Sequence, residues 1–119
     1  MKFCWSTLNV KNMEESVRFY TDIVGLDVMR EMSAGPDMRM VFLGKGGTEV
    51  ELICDANNQE ISVGKDISWG FEVASLDAAL ALVKSHGIAI QAEPIQPTPH
   101  VKFFFIKDPN GMKIQLVEN

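Results

Sequence analysis

Several features are scarce in this chain, and each scarcity excludes a class of protein. Its 119 residues include only two cysteines, Cys4 and Cys54, and two histidines. Two cysteines without a CxxC pair form no disulfide framework, which fits a reducing compartment. No apolar run approaches the roughly 18 residues of a membrane span, and the N-terminal MKFCWSTL lacks the long apolar core of an export signal. We therefore expect a cytoplasmic protein that does not bind membranes.

Positive charge is also scarce. Eleven Lys and Arg stand against 16 Asp and Glu, so the formal net charge is −5. The sequence contains no Lys/Arg cluster and no aromatic platform, and a nucleic-acid partner is therefore not expected. The charge favours a neutral or cationic small ligand over an anionic one. With 46% apolar residues, the chain is predicted to fold as one domain, residues 1–119, with a buried core.

What the sequence does contain is an internal repeat. The segment WSTLNVKNMEESVRFY, Trp5 to Tyr20, is matched by SWGFEVASLDAALALV, Ser68 to Val83. Each copy begins with a strand pattern and continues as a helix after a capping residue, Asn12 in the first and Ser75 in the second. We therefore divide the chain into repeat one, 1–54, a linker, 55–66, and repeat two, 67–119.

In each repeat the helix is followed by segments with strand patterns. These are predicted at 26–32, 38–43 and 48–54 in the first repeat, and at 88–92, 101–106 and 112–117 in the second. The proline-rich EPIQPTPH is predicted to be a loop, and DPNG a tight turn. The predicted fold class is α+β, with two tandem βαβββ modules forming a curved mixed sheet, helices outside. Its concave face would suit a small ligand.

Strand alternation indicates which side chains face that cavity. Leu8 and Val10 lead into the first helix, so their face of the strand is assigned to the core, and the opposite face is left for the cavity. The same argument applies to the strands at 48–54, 68–73 and 112–117. The candidate ligand-binding residues are Trp5, Thr7, Glu49, Glu51, Ser68 and Gln115. The repeat pairs Trp5 with Ser68 and Glu51 with Gln115.

Each candidate also has a simpler interpretation. Trp5 offers a stacking or cation–π surface, but aromatic residues are common in strands for packing alone. Glu51 is either a contact for a cationic ligand or an ion-paired carboxylate without a task. His100 lies in the proline-rich loop and is predicted to be exposed and idle, although a mobile loop could bring it to the cavity as an acid or base.

Three segments within the repeat carry a resemblance to known proteins, and they are NMEESVRFYTDIVGLDV, TEVELI and FFFIKDPNGMKIQLVEN. Together with the repeat itself they resemble the vicinal oxygen chelate superfamily, which includes glyoxalase I, bleomycin resistance proteins and extradiol dioxygenases. The third segment is similar to the family's ending, an aromatic strand followed by Asp-Pro-Asx-Gly and an "IEL" strand. The resemblance covers essentially the whole chain and implies the doubled βαβββ fold. It does not imply one reaction, because one fold hosts many chemistries.

The resemblance also implies where a metal would bind. In the metal-dependent members the ligands are His or Gln and Glu at four positions, which correspond here to Trp5, Glu51, Ser68 and Gln115. An indole N–H donates but cannot ligate, and a serine hydroxyl is a poor ligand for a transition metal ion. The family's metal site is therefore expected to be degenerate. If a metal binds at all, the candidate ligands are Glu51, Gln115 and His100.

Three functional hypotheses follow. The first is a metal-free binding protein, similar to the bleomycin resistance branch, that holds a small amphipathic or cationic molecule. The second is a glyoxalase-like lyase or isomerase that uses a divalent metal through non-standard ligands. The third is a regulatory or scaffold subunit with a vestigial cavity. The resemblance further implies a homodimer, whether side by side or swapped.

Overall fold

A computed structural model of the protein describes all residues, 1–119. The chain forms two compact units, Met1–Val63 and Gly64–Asn119, each with its own sheet. The boundary falls inside the segment 55–66 that the sequence predicts to be a linker. No helix in the chain combines the length and the apolar character that crossing a bilayer would require.

The first unit has the predicted βαβββ order. Its elements are β1 Trp5–Asn9, α1 Met13–Arg18, β2 Asp27–Ala34, β3 Met38–Gly44 and β4 Glu49–Asp55. The helix α1 continues directly into a π-helical segment, Phe19–Ile23. The four-stranded sheet has the order β1-β4-β3-β2, with β1 parallel to β4 and the other neighbours antiparallel.

The second unit repeats this arrangement. Its elements are β5 Ser68–Glu72, α2 Leu76–Ser85, β6 Ile95–Thr98, β7 Val101–Lys107 and β8 Lys113–Glu118. The sheet has the order β5-β8-β7-β6, again with one parallel pair, β5 with β8. The predicted α+β fold class of two tandem βαβββ modules is therefore confirmed.

The two helices begin and end where the sequence indicates. The Asn12 side chain accepts a hydrogen bond from the backbone N–H of Glu15 at 2.9 Å, and Ser75 accepts one from that of Ala78 at 3.2 Å. Each satisfies an N–H at the helix start that has no partner within the helix. Gly25 and Gly87 follow the helical segments at φ of 84° and 70°. This left-handed backbone suits glycine and ends both segments.

One face of each sheet packs against the helix and forms the core. In the first unit Val10, Tyr20 and Leu52 are fully buried, and in the second Val83, Phe104 and Ile114. Along β1 and β4 the residues on this face are Leu8, Val50 and Leu52, as alternation predicts. The opposite face of the first sheet carries four of the six candidate ligand-binding residues, and that of the second sheet carries Ser68 and Gln115.

The predicted strand at 88–92 is wrong. This segment has no strand structure, and the sixth strand lies instead in the supposed proline-rich loop, at Ile95–Thr98. The strand pairs with only one neighbour, β7. A proline is tolerated on such an edge because half of the backbone N–H groups need no partner in the sheet, so Pro97 does not interrupt it.

Candidate functional site

The first open face is the side of the first sheet that faces away from α1, and it carries Trp5, Thr7, Phe42, Glu49 and Glu51. Its centre is a hydrogen bond from Thr7 Oγ1 to Glu51 Oε1 at 2.6 Å. The two residues are direct partners in the parallel pairing of β1 with β4, so their side chains project side by side. Glu51 is 9% exposed and forms no ion pair. This is a largely buried carboxylate held by a neutral donor.

An aromatic wall stands beside this carboxylate. Phe42 is the cross-strand partner of Glu51 and is 4% exposed, whereas Trp5 is 46% exposed. The two rings meet edge to face, with centroids 5.4 Å apart. This geometry favours an aromatic pair. Because Phe42 forms the base and Trp5 the outer part, the tryptophan ring remains available to a ligand.

Arg30 covers part of the wall from the edge strand β2. Its guanidinium carbon lies 4.0 Å from the Phe42 ring centroid and 5.9 Å from that of Trp5. Arg30 Nη2 also pairs with Glu49 Oε1 at 3.0 Å, and Nη1 with Oε2 at 3.4 Å. Glu49 is therefore neutralised by a neighbour, and Glu51 remains the negative group of this face without a cationic partner.

Sequence reasoning missed two residues of this face, for different reasons. Phe42 follows from the same alternation that buries Val41 and Leu43, so the signal was present. Arg30 does not, because the pairing of β2 with β3 shifts register between Val28 and Arg30. A bulge of this kind adds one residue and changes which side chains face the cavity. Nothing in the local sequence marks its position.

The second open face is the corresponding side of the second sheet, and it carries Ser68, Gly70, Phe105, Lys113 and Gln115. Ser68 and Gln115 lie on this face, as alternation predicts. A methyl group placed on Gly70 would come within 3.2 Å of Gln115 Oε1, so the amide lies close over the glycine. Here Gly70 and Gln115 occupy the positions that Thr7 and Glu51 hold in the first unit. The carboxylate is replaced by a neutral amide.

These residues do not fit the metal that the resemblance implies. The chain has no group of three or more His, Cys, Asp and Glu side chains placed to hold a metal ion. An indole at Trp5 and a hydroxyl at Ser68 replace two of the four expected donors. His100, a candidate alternative ligand, is exposed in the turn between β6 and β7. One carboxylate and one amide fall short of the three protein ligands of a typical catalytic zinc site.

The perturbed pKa values lie away from the candidate residues. Arg39 Nη1 pairs with Glu14 Oε1 at 2.7 Å, and this hydrogen bond is the main reason why the pKa of Glu14 is lowered from its ordinary 4.5. Both side chains are exposed, and such pairs contribute little to stability. This ion pair therefore lies on the exposed surface of the first unit, outside the candidate site.

Comparison with solved structures supports the fold. The trypanothione-dependent glyoxalase I of Leishmania major superimposes with a TM-score of 0.86 over 99% of this chain and 86% of that protein, at 22% identity. A glyoxalase family protein from Bacillus cereus gives a TM-score of 0.87 over 99% of this chain and 93% of its own, at 14% identity. At these identities the likeness shows the fold alone.

The sequence comparisons agree with this fold. A probable lactoylglutathione lyase of Vibrio parahaemolyticus is 27% identical over 94% of this chain and 86% of its own length. The lactoylglutathione lyase of Haemophilus influenzae is 26% identical over 100% of this chain and 93% of its own. Residues 3–116 match the family model of the Glyoxalase/Bleomycin resistance protein/Dioxygenase superfamily. The chain therefore belongs to this superfamily, and the predicted resemblance is confirmed.

Proposed function

We propose that this protein binds a small amphipathic or cationic molecule at the first open face, without a metal ion. The bound molecule would lie against Trp5, with its positive end at Glu51. Thr7 and Glu49 would shape the edges of this site. Ser68 and Gln115 would offer neutral hydrogen bonds to a ligand at the second open face. The protein would then be a binding member of the superfamily with a degenerate metal position.

The observation that carries this proposal is the state of Glu51. A carboxylate that is 9% exposed loses much of its hydration, and the hydroxyl of Thr7, which donates to it, carries no charge. Buried charges in proteins are normally paired. A cationic ligand would provide the missing partner. Glu49, on the same strand and the same face, already has such a partner in Arg30.

The aromatic wall supplies the apolar half of the recognition. Arg30 lies over the face of Phe42 at 4.0 Å, which indicates that this wall accepts a cation. The ring of Trp5 is 46% exposed, and its centroid is 5.9 Å from the same guanidinium. A ligand with an aromatic or alkyl body could stack on this ring while its charged end reaches Glu51.

A second candidate is a metal-dependent lyase or isomerase of the glyoxalase type. It is favoured by the curated relatives, which are named lactoylglutathione lyase. The donor set argues against it, because only Glu51 keeps a carboxylate among the four family positions. In this alternative Glu51, Gln115 and His100 would have to act as ligands.

We further propose a cytoplasmic homodimer, since such an assembly would be typical of the superfamily.

Binding of an aromatic quaternary ammonium ion, benzyltrimethylammonium, tests the leading proposal. With Trp69 changed to Phe, Trp5 is the only tryptophan, and its fluorescence reports directly on this face. We expect saturable quenching that Glu51→Gln weakens about tenfold or more, because the buried charge is the main contact. Trp5→Phe should retain part of the affinity measured by calorimetry, and Trp5→Ala should lose most of it.

Glu60→Gln is the matched control for charge. Glu60 is exposed in the irregular segment that follows β4 in the first unit, and this change removes the same charge outside the sheet. It should leave the affinity within about twofold of the parent protein. Equal weakening by Glu60→Gln and Glu51→Gln would show that only net charge matters, and the proposed site would be wrong. Unchanged affinity in both Trp5→Ala and Glu51→Gln would lead to the same conclusion.

Metal content separates the two candidate functions. The protein would be incubated with nickel, zinc and manganese in turn, dialysed, and analysed by plasma mass spectrometry. We expect no retained ion at the stoichiometry of the chain. About one ion per chain, lost in Glu51→Gln together with hemithioacetal turnover, would instead establish the lyase.

A further inference from the structure

A hollow of about 440 Å³ in the second unit is lined by three lysines. Lys107 ends β7 and Lys113 begins β8, and Lys65 reaches the same space from the segment before β5. The other lining residues are Gly64, Gln91 and Gly111, so no acidic side chain faces the hollow. Lys65 is distant from the other two lysines in the sequence, and the DPNG turn separates Lys107 from Lys113, so no basic cluster is visible there.

The positive charge of this hollow is not neutralised within the protein. Lys107 and Lys113 are direct partners in the antiparallel pairing of β7 with β8. Like charges directly opposite each other in a sheet are destabilising. None of the three lysines forms an ion pair. The nearby Asp108 accepts hydrogen bonds at 2.8 Å from the backbone N–H groups of Asn110 and Met112, and is engaged in the DPNG turn.

The first unit has a corresponding hollow of different charge. It has a volume of about 360 Å³ and is lined by Lys2, Trp5, Arg30 and Glu49 among others. Lys2 lies before β1 as Lys65 lies before β5, and Glu49 begins β4 as Lys113 begins β8. Arg30 and Glu49 neutralise each other there through their ion pair. The same place in the fold therefore carries one lysine beside an Arg–Glu ion pair in the first unit, and three lysines without an ion pair in the second. Of these three, Lys113 also lies over the Phe105 ring, with Nζ 5.6 Å from the ring centroid.

We infer that the hollow of the second unit is a binding site for a compact anion, a phosphate or a carboxylate group on a small molecule. Lysine ammonium groups are strong donors to such anions and act as point charges that require no fixed geometry. The Gln91 side chain can add an amide donor to an anion in this hollow. An anion would also relieve the repulsion between Lys107 and Lys113. This site uses none of the residues assigned to the cationic ligand, and it goes beyond the proposed function.

An NMR titration of the complete chain tests the inference. Inorganic phosphate and succinate would be added in separate experiments at constant ionic strength, with the amides of Gly64 and Gly111 as reporters. We expect saturable shifts at these amides. The double variant K107Q/K113Q should weaken binding about tenfold or more, because two charged contacts are removed. Tighter binding of phosphate would indicate a phosphate ester as the ligand, and tighter binding of succinate a carboxylate.

The matched control removes the same charge elsewhere. In K2Q/K102Q one change lies in the corresponding hollow of the first unit, and the other on β7 two residues before Phe104, on the helix side of the sheet. Its affinity should stay within about twofold of the parent protein. Equal weakening in both double variants, or shifts spread evenly over surface amides, would overturn the inference. K65Q alone should weaken binding without altering the β7–β8 pair, which guards against an effect of misfolding.

Discussion

The two units share one backbone plan and differ in the side chains on their open faces. In both units, alternate residues along the strands are apolar and point to the core face. The parallel strand pair, the hairpin and the capped helix also recur in the same order. On the open faces, Trp5, Thr7 and Glu51 of the first unit are replaced by Ser68, Gly70 and Gln115 in the second. A phenylalanine is kept at the centre of both faces, Phe42 and Phe105.

This difference shows that packing fixes the core face and leaves the open face to vary. A core residue contacts many neighbours, so a change in its volume disturbs the packing of all of them. An open-face residue contacts few, so its charge can be reversed, as Glu49 and Lys113 illustrate at matching positions. The chain has a net charge of −5, yet every charged side chain that lines the hollow of the second unit is positive. Net charge therefore does not predict the charge of a local site.

The largest expected effects come from matching core positions. Leu52 and Leu116 occupy equivalent places in β4 and β8 and are 0% and 1% exposed. Either leucine changed to alanine should reduce the free energy of unfolding by about 2–5 kcal/mol, because each leaves a cavity. Urea unfolding followed by tryptophan fluorescence measures this. Since each unit contains one tryptophan, Trp5 or Trp69, single-tryptophan backgrounds report on the units separately.

These two variants also test the proposal that residues 1–119 are a single domain. If it holds, Leu52→Ala lowers the unfolding midpoint seen by Trp69 as much as that seen by Trp5. If only the unit that carries the substitution shifts, the two units unfold independently, and the single-domain prediction is wrong. The parent tryptophan variants, with both leucines intact, provide the reference midpoints.

A second comparison concerns the centres of the open faces. Thr7→Val removes the donor to a buried carboxylate and should cost about 1–3 kcal/mol. Gly70→Ala, at the matching position, should change stability by no more than about 1 kcal/mol. The reason is that the added methyl group meets only the end of the flexible Gln115 side chain, at 3.2 Å. Thermal unfolding of the two variants side by side measures the difference.

Thr7→Ser is the control for this comparison, because it keeps the hydroxyl and loses only a methyl group. It should restore most of the stability lost in Thr7→Val. If Thr7→Val proves as mild as Gly70→Ala, Glu51 does not depend on its hydrogen bond with Thr7. The carboxylate would then be better hydrated than its 9% exposure suggests, and the argument for a missing cationic partner would lose its basis.

Much of the fold could be predicted because two periods of apolar residues dominate this sequence, the two-residue period of strands and the helical period of about 3.6 residues. Alternation in Trp5–Asn9 and Glu49–Asp55 placed Glu51 and Thr7 on the same face, and the structure joins them by a hydrogen bond. The caps Asn12 and Ser75 were also predictable, because Asn and Ser are preferred at the start of a helix, where their side-chain oxygen accepts from a backbone N–H. The assignment of these residues to a ligand remains a prediction, because a face does not reveal its ligand.

The remaining features could not be predicted because they depend on pairing between distant segments. The bulge near Met29 sets the position of Arg30, and only the partner strand β3 reveals it. The π-helical segment buries Phe19, Tyr20 and Ile23, and the helical period of the sequence does not mark where α1 changes into it. The three lysines of the second hollow come from separate segments, so their grouping requires the fold.

The smallest expected effect on stability comes from the ion pair that distinguishes the first hollow from the second. Arg30 is 43% exposed and Glu49 16%, with 3.0 Å between Nη2 and Oε1. Arg30→Gln should therefore cost only about 0.2–1 kcal/mol of stability. Its effect on binding should be larger, since Glu49 becomes an unpaired charge beside the aromatic wall. We expect benzyltrimethylammonium to bind several-fold more tightly, as measured by calorimetry.

Arg39→Gln serves as the control because it removes the same charge from a residue on β3 that pairs with Glu14 and Glu31, away from the aromatic wall. It should leave the affinity for the ammonium ion nearly unchanged. A matching rise in both variants would mean that overall charge governs cation binding. Weaker binding in Arg30→Gln alone would mean that the guanidinium helps to build the aromatic wall. Arg30 would then be part of the binding surface, and its ion pair with Glu49 would hold the guanidinium over the Phe42 ring.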